Sequence, residues 1–185
     1  MYRDQPECFV SDEACLYGHD WLWHRRLTDA RRFNPQMHMG EIGELCAALE
    51  PRDGGIDRLQ VVGELGDVLW YVSAFTRDMQ WKLSEVLEVG CWNDLGAASM
   101  DHEVDCWQLR LCASAGLLSE ACAKKPWRDG TPSSIDSRRI IQIVQCIEAI
   151  GDYVDFSLAA IAQANIDKLV SRRKRGVLSG SGSSR

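Results

Sequence analysis

The sequence predicts an all-α protein, a helical bundle made of two related helical repeats. Three observations predict it. Apolar residues recur at the helical period along most of the chain. No run alternates apolar and polar residues between turn residues, as a half-buried strand would. And the second half echoes the first at a shift of about 75 residues.

The elements follow in order. A first helix is expected over 12–32, stopped by Phe33-Asn34-Pro35. A second, over 35–49, presents Met39, Ile42, Leu45, Cys46 and Leu49 on one face and ends before the Gly54-Gly55 turn. A third, over 57–81, begins at Asp57, a natural N-cap. A fourth covers 83–92. Gly96 to Asp101 reads as a linker, with Ser99 or Asp101 available to cap a fifth helix over 101–125. After the loop 126–134, a sixth helix is expected over 135–156 and a seventh over 157–175. At the 75-residue shift Val68 falls on Ile143, Trp81 on Phe156, Leu83 on Leu158 and Val86 on Ile161. The expected division is therefore 1–96 for one repeat, 97–175 for a second packed on it, and 176–185 as a flexible Gly/Ser tail.

A chain of 185 residues buries roughly 70% of its unfolded surface, so it needs no covalent staples. Its net charge of −6 argues against general nucleic-acid binding, which wants a basic face. No apolar run approaches the roughly 18 residues of a membrane span. The charged, proline-containing N-terminus is no secretory signal. Of eight cysteines, Cys46, Cys112, Cys122 and Cys146 fall in helical apolar patterns, where a thiol packs as a small hydrophobe. Reduced thiols and a cytoplasmic location are therefore expected, and since no Cys-x-x-Cys occurs a zinc site has little support. A metal site on Cys8, Cys15, His19 and His24 is the weaker alternative.

The chemistry lies in two acidic pairs. Residues three apart share a helix face, so Glu41 projects with Glu44 and Glu64 with Asp67. The glycine turn between the two helices lets them run antiparallel and brings four carboxylates together. Unpaired, such a cluster beside a core would be protonated or expelled, and a divalent cation resolves the conflict. All-oxygen ligands suit Mg²⁺ or Mn²⁺. A di-iron centre wants Glu-x-x-His pairs, and His38 has no counterpart beside Glu64. The competing reading is a solvated face pairing with Arg52, Arg58 and Lys82. Gly40, Gly43, Gly63 and Gly66 flank the acids, and a helical glycine costs roughly 1 kcal/mol against alanine, so close approach of a backbone or ligand is expected there.

"GEIGEL" followed by "GELGDVLWYV" resembles the acidic motifs of MazG-like nucleoside triphosphate pyrophosphohydrolases, in the all-α NTP pyrophosphatase superfamily. "QANIDKLVSRR" resembles that family's closing helix. The resemblance spans Trp23 to Arg173. It implies Mg²⁺-dependent hydrolysis between the α- and β-phosphates of a nucleoside triphosphate, giving a monophosphate and pyrophosphate, with a role in the nucleotide pool. It implies Glu41, Glu44, Glu64 and Asp67 on the metal and Glu41 as the residue orienting water. Tyr71 would pack on a deoxyribose. Trp21, Trp23, His24 and Trp70 are base-pocket candidates. A homodimer or higher homo-oligomer is implied, with no membrane or nucleic-acid partner. The runner-up is a nucleotide-binding regulator of the same fold without turnover.

The chain also departs from the simple pattern. Glu64 and Asp67 correspond to Arg139 and Gln142 at the 75-residue shift, and Glu120, alignable with Glu41, lacks a paired acid. The closing helix is intact only in the second half, as Asn165, Lys168 and Arg172; Gly90 and Asn93 replace the asparagine and lysine in the first. Each half has lost what the other kept, which suggests one composite site.

Overall fold

In the computed structural model, residues 34–79, 81–89, 103–124 and 137–175 are described. The helix expected over 12–32, with Trp21, Trp23 and His24, lies outside them, as do Ser99, Asp101 and the tail. The described elements are all helical: α1 (Pro35–Leu49), α2 (Arg58–Asp78), α3 (Leu83–Val89), α4 (Val104–Lys124), α5 (Ser137–Tyr153) and α6 (Leu158–Lys174). No described helix is long and apolar enough to cross a membrane.

Local chemistry sets the helix starts. Asn34 Oδ1 accepts from the amides of Gln36 (3.0 Å) and Met37 (3.2 Å), with Pro35 opening α1. Asp57 Oδ1 accepts from Leu59 and Gln60, both at 3.1 Å. Ser157 Oγ accepts from Ala160 at 3.2 Å and so starts α6. Between α1 and α2 the chain turns where the Gly55 amide donates to the Arg52 carbonyl at 2.8 Å, and Gly55 takes φ 86°, a value that favours glycine.

Hydrogen bonds at the helix ends recur 75 residues apart. Met79 N bonds Phe75 O at 3.0 Å and Trp81 N bonds Thr76 O at 2.8 Å; Val154 N bonds Ile150 O at 3.3 Å and Phe156 N bonds Gly151 O at 2.9 Å. The next helices open alike, Val86 N on Lys82 O and Ile161 N on Ser157 O, both 3.0 Å. These turns also correct two expected boundaries. Trp81 and Phe156 lie beyond their helices because the carbonyls of Thr76 and Gly151 are taken by amides five residues on, which breaks the i→i−4 ladder. Asp155, at φ 66°, completes the second reversal.

The core follows the same shift. Leu65, Val68, Val72 and Phe75 of α2 and Ile140, Ile143, Ile147 and Ile150 of α5 are all fully buried. Each such side chain contributes about 1.5–3 kcal/mol by leaving water. α1 packs on α2 and α4 packs on α5, while α1 meets α4 and α2 meets α5. At the α1–α4 contact the Cys46 and Cys112 sulfurs stand 3.7 Å apart, and the five described cysteines are free thiols. The closing helices reach both halves: α6, from the second half, lies along α2 and also meets α5, and α3, from the first half, meets both α5 and α2.

Candidate metal centre

The cluster forms where α1, α2 and α6 meet. Carboxylate oxygens of Glu41, Glu64 and Asp67 lie within 4.8 Å of one another. Glu64 is 2% exposed, and its Oε2 is buried with no hydrogen-bond donor among the described residues. That burial excludes the solvated-face reading for Glu64. Arg58, one of the cations that reading needs, instead pairs with Asp155 at the surface.

Glu44 is placed differently from the expectation. One turn on from Glu41, its side chain is exposed and stands outside the three-carboxylate group, although its charge still reaches Glu41 and Glu64.

The second half contributes its cations here. Lys168 Nζ donates to Asp67 Oδ2 at 2.5 Å and to the Gly63 carbonyl at 3.3 Å, and Asn165 Nδ2 donates to Asp67 Oδ1 at 2.7 Å. Asn165 is 5% exposed. The Arg172 guanidinium lies near enough to favour ionisation of Glu64. All these residues belong to one chain, so the cluster and its cations assemble in cis. Four carboxylates against two cations leave an excess of negative charge, and Glu64 Oε2 has no donor among the described residues. An oxygen-ligated divalent cation fits that donor set.

Electrostatics record the crowding. Burial, then Asp67, Glu44 and Glu64, raise the Glu41 carboxyl to about 7, with Lys168 opposing. Burial and the Asp67 and Glu44 charges likewise raise Glu64. A carboxyl raised in the fold costs nothing while protonated and destabilises once ionised. Stability of the metal-free protein is therefore fullest below the ordinary carboxylate range and is lost as pH rises through about 7. In chelator, the melting temperature should fall between pH 5 and 8, and Glu41→Gln should flatten the fall. Differential scanning fluorimetry measures it; a flat parent profile would refute the crowding.

One of the four flanking glycines explains how α6 gets so close. A Cβ on Gly66 would meet Asn165 Cβ at 2.8 Å and the Ile161 carbonyl at 3.3 Å. Gly40, Gly43 and Gly63 have no such neighbour within 4 Å, so close approach of another helix occurs at Gly66 and not at the other three. Gly66→Ala should cost about 1–3 kcal/mol by overpacking and move Asn165 off Asp67. Gly40→Ala, on an exposed helix face, should instead stabilise by about 0.5–1 kcal/mol. Urea denaturation of both variants checks the contrast.

Beside the acids sits an aromatic group. His38 is fully buried in α1, and burial lowers its imidazole to about 4, so it is neutral at physiological pH. Its ring lies 6.2 Å from Tyr71, and Trp70 meets Tyr71 edge-on at 5.2 Å. Tyr71 also packs against the core. His38 was legible in sequence only as an unmatched partner for Glu41. Its place one turn before Glu41, on the buried face, was the available signal.

At the equivalent place in the second half, Gln142 Oε1 accepts from Arg139 Nη1 at 3.0 Å and from Ser114 Oγ at 3.3 Å. Among the described residues no acid is bonded to this group. Glu120, aligned with Glu41 by sequence, is exposed, and the α4 residue facing Gln142 is Ser114, six residues or about 9 Å earlier. The chain matches no family model, no curated protein and no solved structure.

Proposed function

We propose that the protein is a Mg²⁺-dependent nucleoside triphosphate pyrophosphohydrolase that cleaves between the α- and β-phosphates. The observation that carries this reading is the convergence, in one chain, of three carboxylates from α1 and α2 with Asn165 and Lys168 from α6. The MazG-like resemblance of the motifs supports it. So does the reach of α6, from the second half, onto the first half's acids. In sequence the second half carries Arg139 and Gln142 where the first has acids, and the first carries Gly90 and Asn93 where the second has Asn165 and Lys168.

Glu41, Glu64 and Asp67 would hold the cation, with Glu44 at the rim. A bound divalent ion supplies neutralisation of phosphate charge and a more acidic water. Glu41, whose carboxyl is raised to about 7 by burial and the neighbouring acids, would orient the attacking water and accept its proton. Asn165 fixes the Asp67 carboxylate through Oδ1. Lys168 and Arg172 meet the departing pyrophosphate, as charge-assisted donors do. Tyr71 and Trp70 offer the sugar and base an aromatic surface beside the acids. The free thiols fit a cytoplasmic nucleotide pool, and a homodimer is part of the same reading.

The decisive experiment is pyrophosphate release across a panel of nucleoside and deoxynucleoside triphosphates with Mg²⁺. Monophosphate and pyrophosphate in equal amounts are expected for at least one. Release of orthophosphate, or nucleotide binding without turnover, would overturn the reading, and the latter would leave a nucleotide-binding regulator.

A further inference from the structure

Both oxygens of Asp67 are engaged while its neighbour has one that is not. Both Asp67 oxygens accept charged or amide donors from α6, at 2.7 and 2.5 Å, whereas Glu64 Oε2 accepts none from the described residues. The Lys168 ammonium also reaches the Gly63 carbonyl, so it is held on α2 by two contacts one helical turn apart. It sits where a cation bound to Asp67 would place its own charge.

We propose that Lys168 is the built-in counter-ion of the acidic cluster, holding Asp67 until a divalent cation takes that carboxylate over and frees the ammonium for phosphate. The inference rests on the reading of the cluster as the cation site. A divalent ion binds carboxylate oxygen at about 2.1 Å. With Nζ 2.5 Å from Asp67 Oδ2, an ion on that oxygen would stand within about 4.6 Å of the ammonium. Two positive charges that close, in a partly dry site, repel strongly. Asn165 can stay, because a neutral amide on Oδ1 does not oppose the ion. Lys168 can leave, because its four-carbon stem is flexible and its side chain is 22% exposed. An arginine or a buried amide would serve worse: the first is a rigid fork, the second carries no charge to balance the empty cluster.

Metal and Lys168 therefore compete, and the competition has a sign that a plain phosphate-binding lysine does not predict. Lys168→Met should bind Mn²⁺ more tightly than the parent, by about tenfold, in titration calorimetry without nucleotide. In chelator it should melt below the parent, since the carboxylates lose their counter-ion, and Mn²⁺ should raise its melting temperature by more than the parent's. Lys168→Gln, which keeps a donor without the charge, gives the same comparison should the methionine variant fail to fold. Mn²⁺ affinity equal to or weaker than the parent's in the variant that folds would overturn the proposal and leave the metal site standing. Absence of Mn²⁺ binding in the parent and the variant alike would remove the metal site and this proposal together.

Discussion

Glu64→Gln is expected to lower kcat/KM by at least about 100-fold while helical content and cooperative melting survive, because a metal ligand or positioned base is worth that much. Glutamine keeps the shape of the side chain, so packing beside Leu65 and Val68 is unchanged. It removes a negative charge held at 2% exposure with one oxygen lacking a described donor. The same substitution relieves repulsion in the empty site. In chelator the variant should melt at or above the parent, and lose the metal-dependent rise. Glu41→Gln and Asp67→Asn should show comparable losses of turnover. Glu44→Gln should lose less, since Glu44 is exposed and acts on the cluster through its charge alone. Circular dichroism, calorimetry with Mg²⁺ or Mn²⁺, and initial rates separate these effects. Near-parental turnover by Glu64→Gln would end the metal reading.

The acids were legible because their signal is local. Three-residue spacing fixes a shared face, and the surrounding Ile42, Leu45, Leu65 and Val68 fix which face is buried. The caps at Asn34 and Asp57 and the glycine turn at Gly55 are local in the same sense. Helix ends were less legible where the chain leaves the ladder by an amide reaching five residues back, as at Trp81 and Phe156, since periodicity continues through such a turn. Features set by one helix pressing on another were not legible. Nothing in the sequence separates Gly66, against which Asn165 packs, from Gly40, Gly43 or Gly63. Nor does spacing reveal that Glu44 turns outward. The second-half alignment slipped for a related reason. It matched Glu120 to Glu41 by residue type, whereas packing puts Ser114 opposite Gln142.

Lys168→Ala is the companion prediction with the next largest effect. Charge-assisted bonds to phosphate are each worth roughly 1.5–3 kcal/mol, so its removal should lower kcat/KM by about 10- to 150-fold. Glu120→Gln should change kcat/KM less than about twofold, because Glu120 is exposed on α4 and the group around Gln142 contains no acid for it to complete. The contrast tests whether α6 is part of the site or only a helix that ends in cations. Were Lys168 merely favouring the C-terminus of α6, its loss would cost a few tenths of a kcal/mol in stability and leave rates alone. The geometry speaks against that minor role: Nζ turns back onto Asp67 and the Gly63 carbonyl, across the contact between the two halves. If the lysine both balances the empty cluster and later meets phosphate, one substitution should move two quantities in opposite directions, tightening the metal and slowing the reaction. A variant that lost turnover and metal affinity together would instead mean that Lys168 only holds α2 and α6 in register, and that phosphate is met by other cations such as Arg172.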